Sequence, residues 1–179
     1  MKIFYALETF LPHISGVTIS TERLANYFSQ DKKNEVYIVT ASPDGDFQID
    51  SDSHNYTIIR IKSHANPIRK KLKVSYLASL HIKRILDEFK PDIIHIQDPF
   101  FISQSLAFEA KKRKIPVIAT QHCSLEFPLS YLKLPKFFRK TTEKTMAKIL
   151  ATFINNYCKI LITPSEFIKK QAIKWEINI

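Results

Sequence analysis

The segment spanning residues 91–124, PDIIHIQDPFFISQSLAFEAKKRKIPVIATQHCS, leaves few folds open. An apolar run at residues 92–96 breaks at Asp98 and Pro99, a polar-faced helical stretch follows, and a second apolar run at 116–120 ends on Gln121 and His122. Short Val/Ile runs without polar alternation predict strands buried on both faces. The helix between them is long enough for a crossover, so the two strands are expected to be parallel neighbours. His122 then falls at the C-terminal end of a strand. In open α/β sheets that edge is where ligands bind, because crossovers leave crevices there and helix N-termini point into them.

The same alternation runs through the rest of the chain. Strands are expected at residues 2–7, 35–40, 56–61 and 159–163, and helices at 17–28, 74–89 and 141–157, with a last helix capped by Ser165. Predicted core stripes are Ile19, Leu24, Tyr27 and Phe28 on the first helix; Tyr76 or Leu77, Leu80, Ile85, Leu86 and Phe89 on the second; and Met146, Ile149, Leu150, Phe153 and Tyr157 on the fourth. Residues 8–16 form a loop in which Pro12 stops the strand and Gly16 is free to take positive φ. Residues 41–55 read as a polar loop and 64–73 as a basic connector. Six strands alternating with helices predict an α/β fold, a Rossmann-like doubly wound parallel sheet of six or seven strands, in one domain covering residues 1–179.

Composition removes several function classes. The chain has only two glycines, so neither G-x-G-x-x-G nor a P-loop can be written in it, and nicotinamide-cofactor and P-loop NTPase readings fall away. Cys123 and Cys158 are too few for a disulfide framework and are expected to be free thiols in a reducing cytosol. No run reaches 18 apolar residues and Met1-Lys2 leads straight into a strand, so neither a membrane span nor a secretion signal is expected. No two of the six histidines sit at metal-ligand spacing with a carboxylate, and no metal is expected. The net charge of +10 is unevenly spread: residues 60–90 carry +7, 111–114 carry +4 and 128–148 carry +5, which leaves −6 for the remainder. This polarity predicts either an anionic partner surface, lipid or nucleic acid, or lysine-rich helix faces that are merely solvated.

Four landmarks occur in a telling order: Glu8-Thr9-Phe10-Leu11-Pro12 with Ser15-Gly16-Val17; Asp92-Ile93-Ile94-His95-Ile96-Gln97; Ile115-Pro116-Val117 through Thr120-Gln121-His122; and Ile162-Thr163-Pro164-Ser165-Glu166. Together they resemble the N-terminal half of GT-B fold, family 4 retaining glycosyltransferases, most closely the lipid-glycosylating branch typified by diacylglycerol glucosyltransferases. The resemblance covers nearly the whole chain. It implies an acceptor-side domain that faces a second α/β domain across a cleft, the second domain holding the nucleotide-sugar with two glutamates seven residues apart. The sequence ends about where the linker to that domain would begin, so the resemblance implies a half-enzyme, inactive alone and without a metal. A basic nucleic-acid or anionic-surface binding module without catalysis is the alternative, although no nucleic-acid motif is present. A natural fragment that pairs with a separate donor-domain chain is a third reading.

The resemblance places His122 at the T-x-H histidine beside the transferred sugar. Ser15, Gly16 and Val17 form the helix start that approaches the donor phosphates, where many relatives carry two adjacent glycines. Asp98, Ser165 and Glu166 are expected on the same cleft edge, with helix capping an equal explanation for the last two. Glu8 is expected either to contact the acceptor or to be a solvated loop acid. His13 is expected near the cleft, His95 in a buried hydrogen-bonded position, and His54, His64 and His81 on the surface. Residues 125–138 mix Leu and aromatic side chains with prolines and lysines. Phe127, Tyr131, Lys133, Phe137, Phe138 and Lys140 therefore form the expected lipid-acceptor surface, set against the inner face of the plasma membrane in an otherwise cytoplasmic protein. Lys136, Lys140, Lys144 and Lys148 share a helix face if the helix begins early enough; for that helix, packing on the sheet with a wet lysine face is the favoured reading.

Overall fold

The computed structural model describes residues 1–51, 54–67, 69–70, 72–124 and 135–177. Its strands are β1 (Lys2–Ala6), β2 (Glu35–Ala41), β3 (Gln48–Asp50), β4 (Thr57–Ile61), β5 (His64–Ala65), β6 (Lys73–Val74), β7 (Ile93–Ile96), β8 (Val117–Thr120) and β9 (Ile160–Ile162). Its helices are α1 (Gly16–Ser29), α2 (Ala78–Phe89), α3 (Phe101–Lys112), α4 (Lys136–Tyr157) and α5 (Glu166–Lys174). Seven strands form one sheet in the order β3-β4-β2-β1-β7-β8-β9. The six strands expected from the sequence are mutually parallel. The sheet is not wholly parallel, because β3, inside the segment read as a polar loop, pairs antiparallel with β4 at one edge. The basic connector likewise holds the two-residue hairpin β5–β6.

β1 occupies the centre and sends alternate side chains to two cores. Phe4 and Ala6 join α2, α3 and α4 on one face, while Ile3, Tyr5 and Leu7 join α1 on the other. Each fully buried side chain of this size is worth roughly 1.5–3 kcal/mol, so β1 carries a large share of the fold's stability. The chain leaves β1 in one direction through β2 and β4, then returns to its other side at β7 and continues outward. The reversal makes a topological switch point between β1 and β7, with the C-terminal ends of all six parallel strands on one rim.

The layers are unequal. On the α1 face, β7 and β8 are only half-buried at Ile93, His95, Ile118 and Thr120, and β9 leaves Ile160 and Ile162 exposed. Full burial of both faces, expected from the unbroken apolar runs, therefore holds at β1 and fails at β7 to β9, where no described helix covers that face. Several predicted stripe positions also point outward, since Tyr27, Leu77, Leu80 and Ile149 are all exposed. Thr18, Thr21 and Ala25 are buried on α1 instead, and Ile82 joins Ile85 and Leu86 on α2. Small or β-branched residues fit close against the sheet where larger ones do not. Lys90, in the left-handed region at φ 49°, closes α2 before Pro91, as the sequence predicts.

Candidate functional site

Four of the six strand ends on the C-terminal rim, those of β1, β7, β8 and β9, contribute the candidate residues. α1 starts there with Ser15 as its N-cap: the Ser15 hydroxyl accepts from Thr18 N at 3.2 Å and lies 2.8 Å from Thr18 Oγ1. Gly16 follows without using its freedom to take a positive φ, and a Cβ built on it would meet nothing within 4 Å. Internal packing therefore does not demand a glycine here; what the glycine preserves is open space over the first turn of α1. Val17 packs inward against the α1 core. On β9's side of the rim, Ser165 caps α5 by accepting from Ile168 N at 3.3 Å, and Glu166 occupies that helix's first turn, where a carboxylate favours the dipole. Capping thus accounts for the geometry of both serines.

Glu8 is not the solvated loop acid that was one expectation for it. It is 3% exposed, and its carboxylate accepts from Ser75 N at 2.5 Å and Ile102 N at 3.1 Å. Its own N–H donates to Asp98 Oδ2 at 2.5 Å, and its carbonyl accepts from Ala41 N at 3.2 Å. One residue at the end of β1 therefore fastens the approaches to α2 and α3 and the end of β2. Asp98 Oδ1 accepts in turn from Phe100 N and Ser103 Oγ, both at 3.1 Å, which fixes the turn into α3. Neither carboxylate has a cationic partner among the described residues. Burial, with Asp98 nearby as the lesser cause, pushes Glu8 up to about 7 against the pull of its backbone donors. Burial likewise pushes Asp98 up to about 6.

His122 lies just past β8, half-buried, with Nε2 2.7 Å from Gln97 Oε1 just past β7. Burial holds its pKa below the ordinary value. Two residues earlier on each strand, His95 Nε2 lies 2.7 Å from Thr120 Oγ1, and its ring sits 5.5 Å from that of Tyr5. Burial, with His122 as the second cause, holds His95 down to about 4, so this is the hydrogen-bonded, neutral histidine that was expected. Sequence reading did not single out Gln97. The available signal was its place as the first residue beyond an apolar run that ends on the same rim as His122.

An open depression of about 270 Å³ lies beside the switch point, lined by Glu8, Thr9, Phe10, His13 and Lys73 among others. His13 is exposed there, as expected. His54 and His64 are exposed, while His81 is half-buried and stacks on Phe47. Among the described residues no cluster of three His, Cys, Asp or Glu side chains could hold a metal ion.

Phe127, Tyr131 and Lys133 of the expected membrane surface lie outside the described residues. The rest of that surface is the first turn of α4, which begins at Lys136, five residues earlier than predicted. Phe137 and Phe138 are 84% and 57% exposed, edge to face at 5.3 Å, and Arg139, Lys140, Lys144 and Lys148 are exposed. Farther along, Leu150, Phe153 and Ile154 bury against the sheet, which agrees with the packed reading of that helix. Among the described residues no helix is long and apolar enough to cross a membrane.

A family model described as Glycosyltransferase Family 4 matches residues 14–178. The chain belongs to Glycosyltransferase Family 4. It is an N-terminal GT-B domain of that family. An alpha-monoglucosyldiacylglycerol synthase of Acholeplasma laidlawii is 30% identical over 179 residues, which cover 97% of this chain and 43% of the synthase. A GDP-mannose-dependent alpha-mannosyltransferase of Corynebacterium glutamicum is 28% identical over 119 residues, 66% of this chain and 28% of that protein. The chain thus spans less than half the length of the curated relatives it matches. Among solved structures, the UDP-GlcNAc 2-epimerase from Methanocaldococcus jannaschii superposes with a TM-score of 0.56 at 17% identity, over 99% of this chain and 43% of the epimerase. At that identity the likeness is one of fold. The family 4 assignment, by contrast, rests on sequence and makes the chain a glycosyltransferase domain with glycolipid synthases among its relatives.

Proposed function

We propose that this domain is the acceptor-side half of a retaining glycosyltransferase that moves a sugar from a nucleotide-sugar to a lipid at the cytoplasmic face of an anionic membrane. The nucleotide-sugar is held by a second α/β domain outside these residues, and no metal takes part. The observation that carries this reading is the meeting of three features on one rim: the open first turn of α1 at Gly16, the imidazole of His122 and the start of α5 at Ser165. Adjacent strands lie about 4.8 Å apart, so the ends of β1 and β8, two strands away, are on the order of 10 Å from each other. That span suits a sugar diphosphate whose phosphates lie over the N–H groups of a helix start and whose sugar lies by the histidine.

In this reading His122 makes a hydrogen bond with a sugar hydroxyl in the transition state. The α1 terminus, equivalent to roughly half a positive charge, stabilises the departing diphosphate. Phe137 and Phe138 enter the headgroup region while Arg139, Lys140, Lys144 and Lys148 meet anionic lipid. At about 1 kcal/mol per basic residue near such a surface, the four would contribute on the order of 4 kcal/mol.

The test has two arms. Sedimentation with vesicles containing 30 mol% phosphatidylglycerol, as an arbitrary, roughly physiological anionic fraction, should capture the chain. Phe137→Ser together with Phe138→Ser should abolish capture, and undiminished capture would remove the membrane surface. With UDP-glucose or GDP-mannose and diacylglycerol, these 179 residues alone should transfer no sugar. Measurable transfer would contradict the two-domain reading. In a transfer-competent protein containing this domain, His122→Ala should lower turnover about 100-fold with little loss of stability.

A further inference from the structure

We infer that Gln97 is a positioning residue for His122: it holds the imidazole by Nε2, so that the proton resides there and Nδ1 is left as an acceptor for a ligand hydroxyl. This deepens the sugar-site reading of His122 and rests on it. Gln97 is 2% exposed, and its backbone N–H is anchored to Ala6 O at 2.8 Å, at the junction of the two central strands. Its side chain therefore issues from backbone fixed by the central strand β1. Its Oε1 lies 2.7 Å from His122 Nε2, a distance at which one of the two atoms carries the shared hydrogen. A carboxamide oxygen only accepts, so the imidazole donates from Nε2. A neutral imidazole has one N–H, and Nδ1 keeps its lone pair.

Gln97 Nε2 is buried and has no hydrogen-bond partner among the described residues. The Nδ1 lone pair lies on the ring edge away from Gln97 and is complementary to a hydroxyl that donates its hydrogen there. The ligand class is thus a polyol or sugar hydroxyl, and an anion would meet the lone pair of Nδ1 unfavourably. His95 does not compete for Gln97, because its own Nε2 is engaged by Thr120.

Long-range ¹H–¹⁵N correlation spectra of the ¹⁵N-histidine-labelled chain distinguish the tautomers directly, and the His122 signals are those lost in His122→Ala. Above the ring's titration, the wild-type spectrum should show the Nε2–H tautomer in at least tenfold excess; predominance of Nδ1–H would overturn the inference. Gln97→Met, close in volume and unable to accept, should reduce that ratio to threefold or less, while an unchanged ratio would show that another group sets the tautomer. In Gln97→Glu the retained acceptor should preserve Nε2–H and, because a carboxylate now faces the ring, raise its titration midpoint by at least one pH unit. No movement would mean that residue 97 does not address the ring. These readings are independent of turnover. An Nε2–H ring in a transfer-competent protein whose rate survives His122→Ala would keep the positioning and discard the sugar site; an Nδ1–H ring with a His122-dependent rate would do the reverse.

Discussion

The two rims of the sheet treat charge in opposite ways. On the N-terminal rim, ions pair with ions in exposed or half-buried positions: Lys2 with Glu35 at 3.4 Å, Lys112 with Glu109 at 2.5 Å, and Arg113 with both Asp87, at 2.7 Å, and Glu109. On the C-terminal rim, the buried Glu8 and the half-buried Asp98 are held by backbone N–H groups, with no cation beside them among the described residues. The first arrangement contributes little, since exposed pairs are screened and typically worth 0–1 kcal/mol. The second fixes geometry, because the backbone donors come from two crossovers, Ser75 from the one between β4 and β7 and Phe100 and Ile102 from the one between β7 and β8. The contrast teaches that a carboxylate's contribution follows from what it holds, and that the rim carrying the proposed chemistry is also the rim whose loops are pinned from beneath.

The largest effect should follow removal of the pin. Glu8→Ala leaves the N–H groups of Ser75 and Ile102 without their acceptor in a buried setting and should cost on the order of 3 kcal/mol. In a chain of this size that lowers the melting temperature by about 6–12 °C in a thermal scan. A loss under 1 kcal/mol would erase the distinction between the rims.

The next effect depends on pH. Glu8 has a folded pKa of about 7, above its ordinary 4.5, so between those values the folded state binds a proton that the unfolded state does not. Its contribution to stability is full below the unfolded value and declines as pH rises through the folded one. His95 opposes this. Its folded pKa is held down to about 4, so its contribution is present above 6.5 and declines as pH falls toward 4. Glu8→Gln separates the two, because only the Glu8 contribution is deleted. The stability of the wild type relative to this variant should decrease from pH 5 to pH 8 by up to roughly 3 kcal/mol, measured as the difference between paired denaturant titrations. A pH-independent difference would mean that the carboxyl is already ionised at pH 5.

Smaller still is Arg113→Ala, which should cost about 1 kcal/mol at low salt and less at 0.5 M NaCl, in urea titrations at the two salt concentrations. A loss equal to that of Glu8→Ala would place both rims in one class. Lys2→Ala should shift the urea midpoint least of all, since its partner Glu35 is fully exposed.

What the sequence discloses and what it withholds divide along similar lines. The six parallel strands and the rim position of His122 were readable because β-branched runs and proline breaks are local signals, and because parallel neighbours need a crossover whose length can be counted. The antiparallel strand β3 was not readable, because Gln48 and Asp50 are exposed or half-buried edge residues with no apolar periodicity. Ile149 and Leu80 were assigned to the core by spacing, but tertiary packing rotated them outward and admitted Ala147 and Ile82 instead. The role of Glu8 was hidden because its partners are backbone groups 67 and 94 residues away, and backbone donors leave no mark on residue identity. Gln97 was overlooked for a related reason: its meaning lies in a contact 25 residues distant.

The placement of β1 has a consequence for biosynthesis. β1 is made before every other strand of this sheet yet occupies its middle, and its partner residue Ile93 follows Ile3 by 90 residues. At translation speeds of about 5–20 residues per second, the nascent strand waits roughly 5 to 20 s for that neighbour. During the delay, β1, β2 and β4 can already assemble around α1, but the side of this half-sheet bearing Phe4 and Val39 is uncovered until α2 and α3 emerge. That interval is when a chaperone would have its best purchase on the chain.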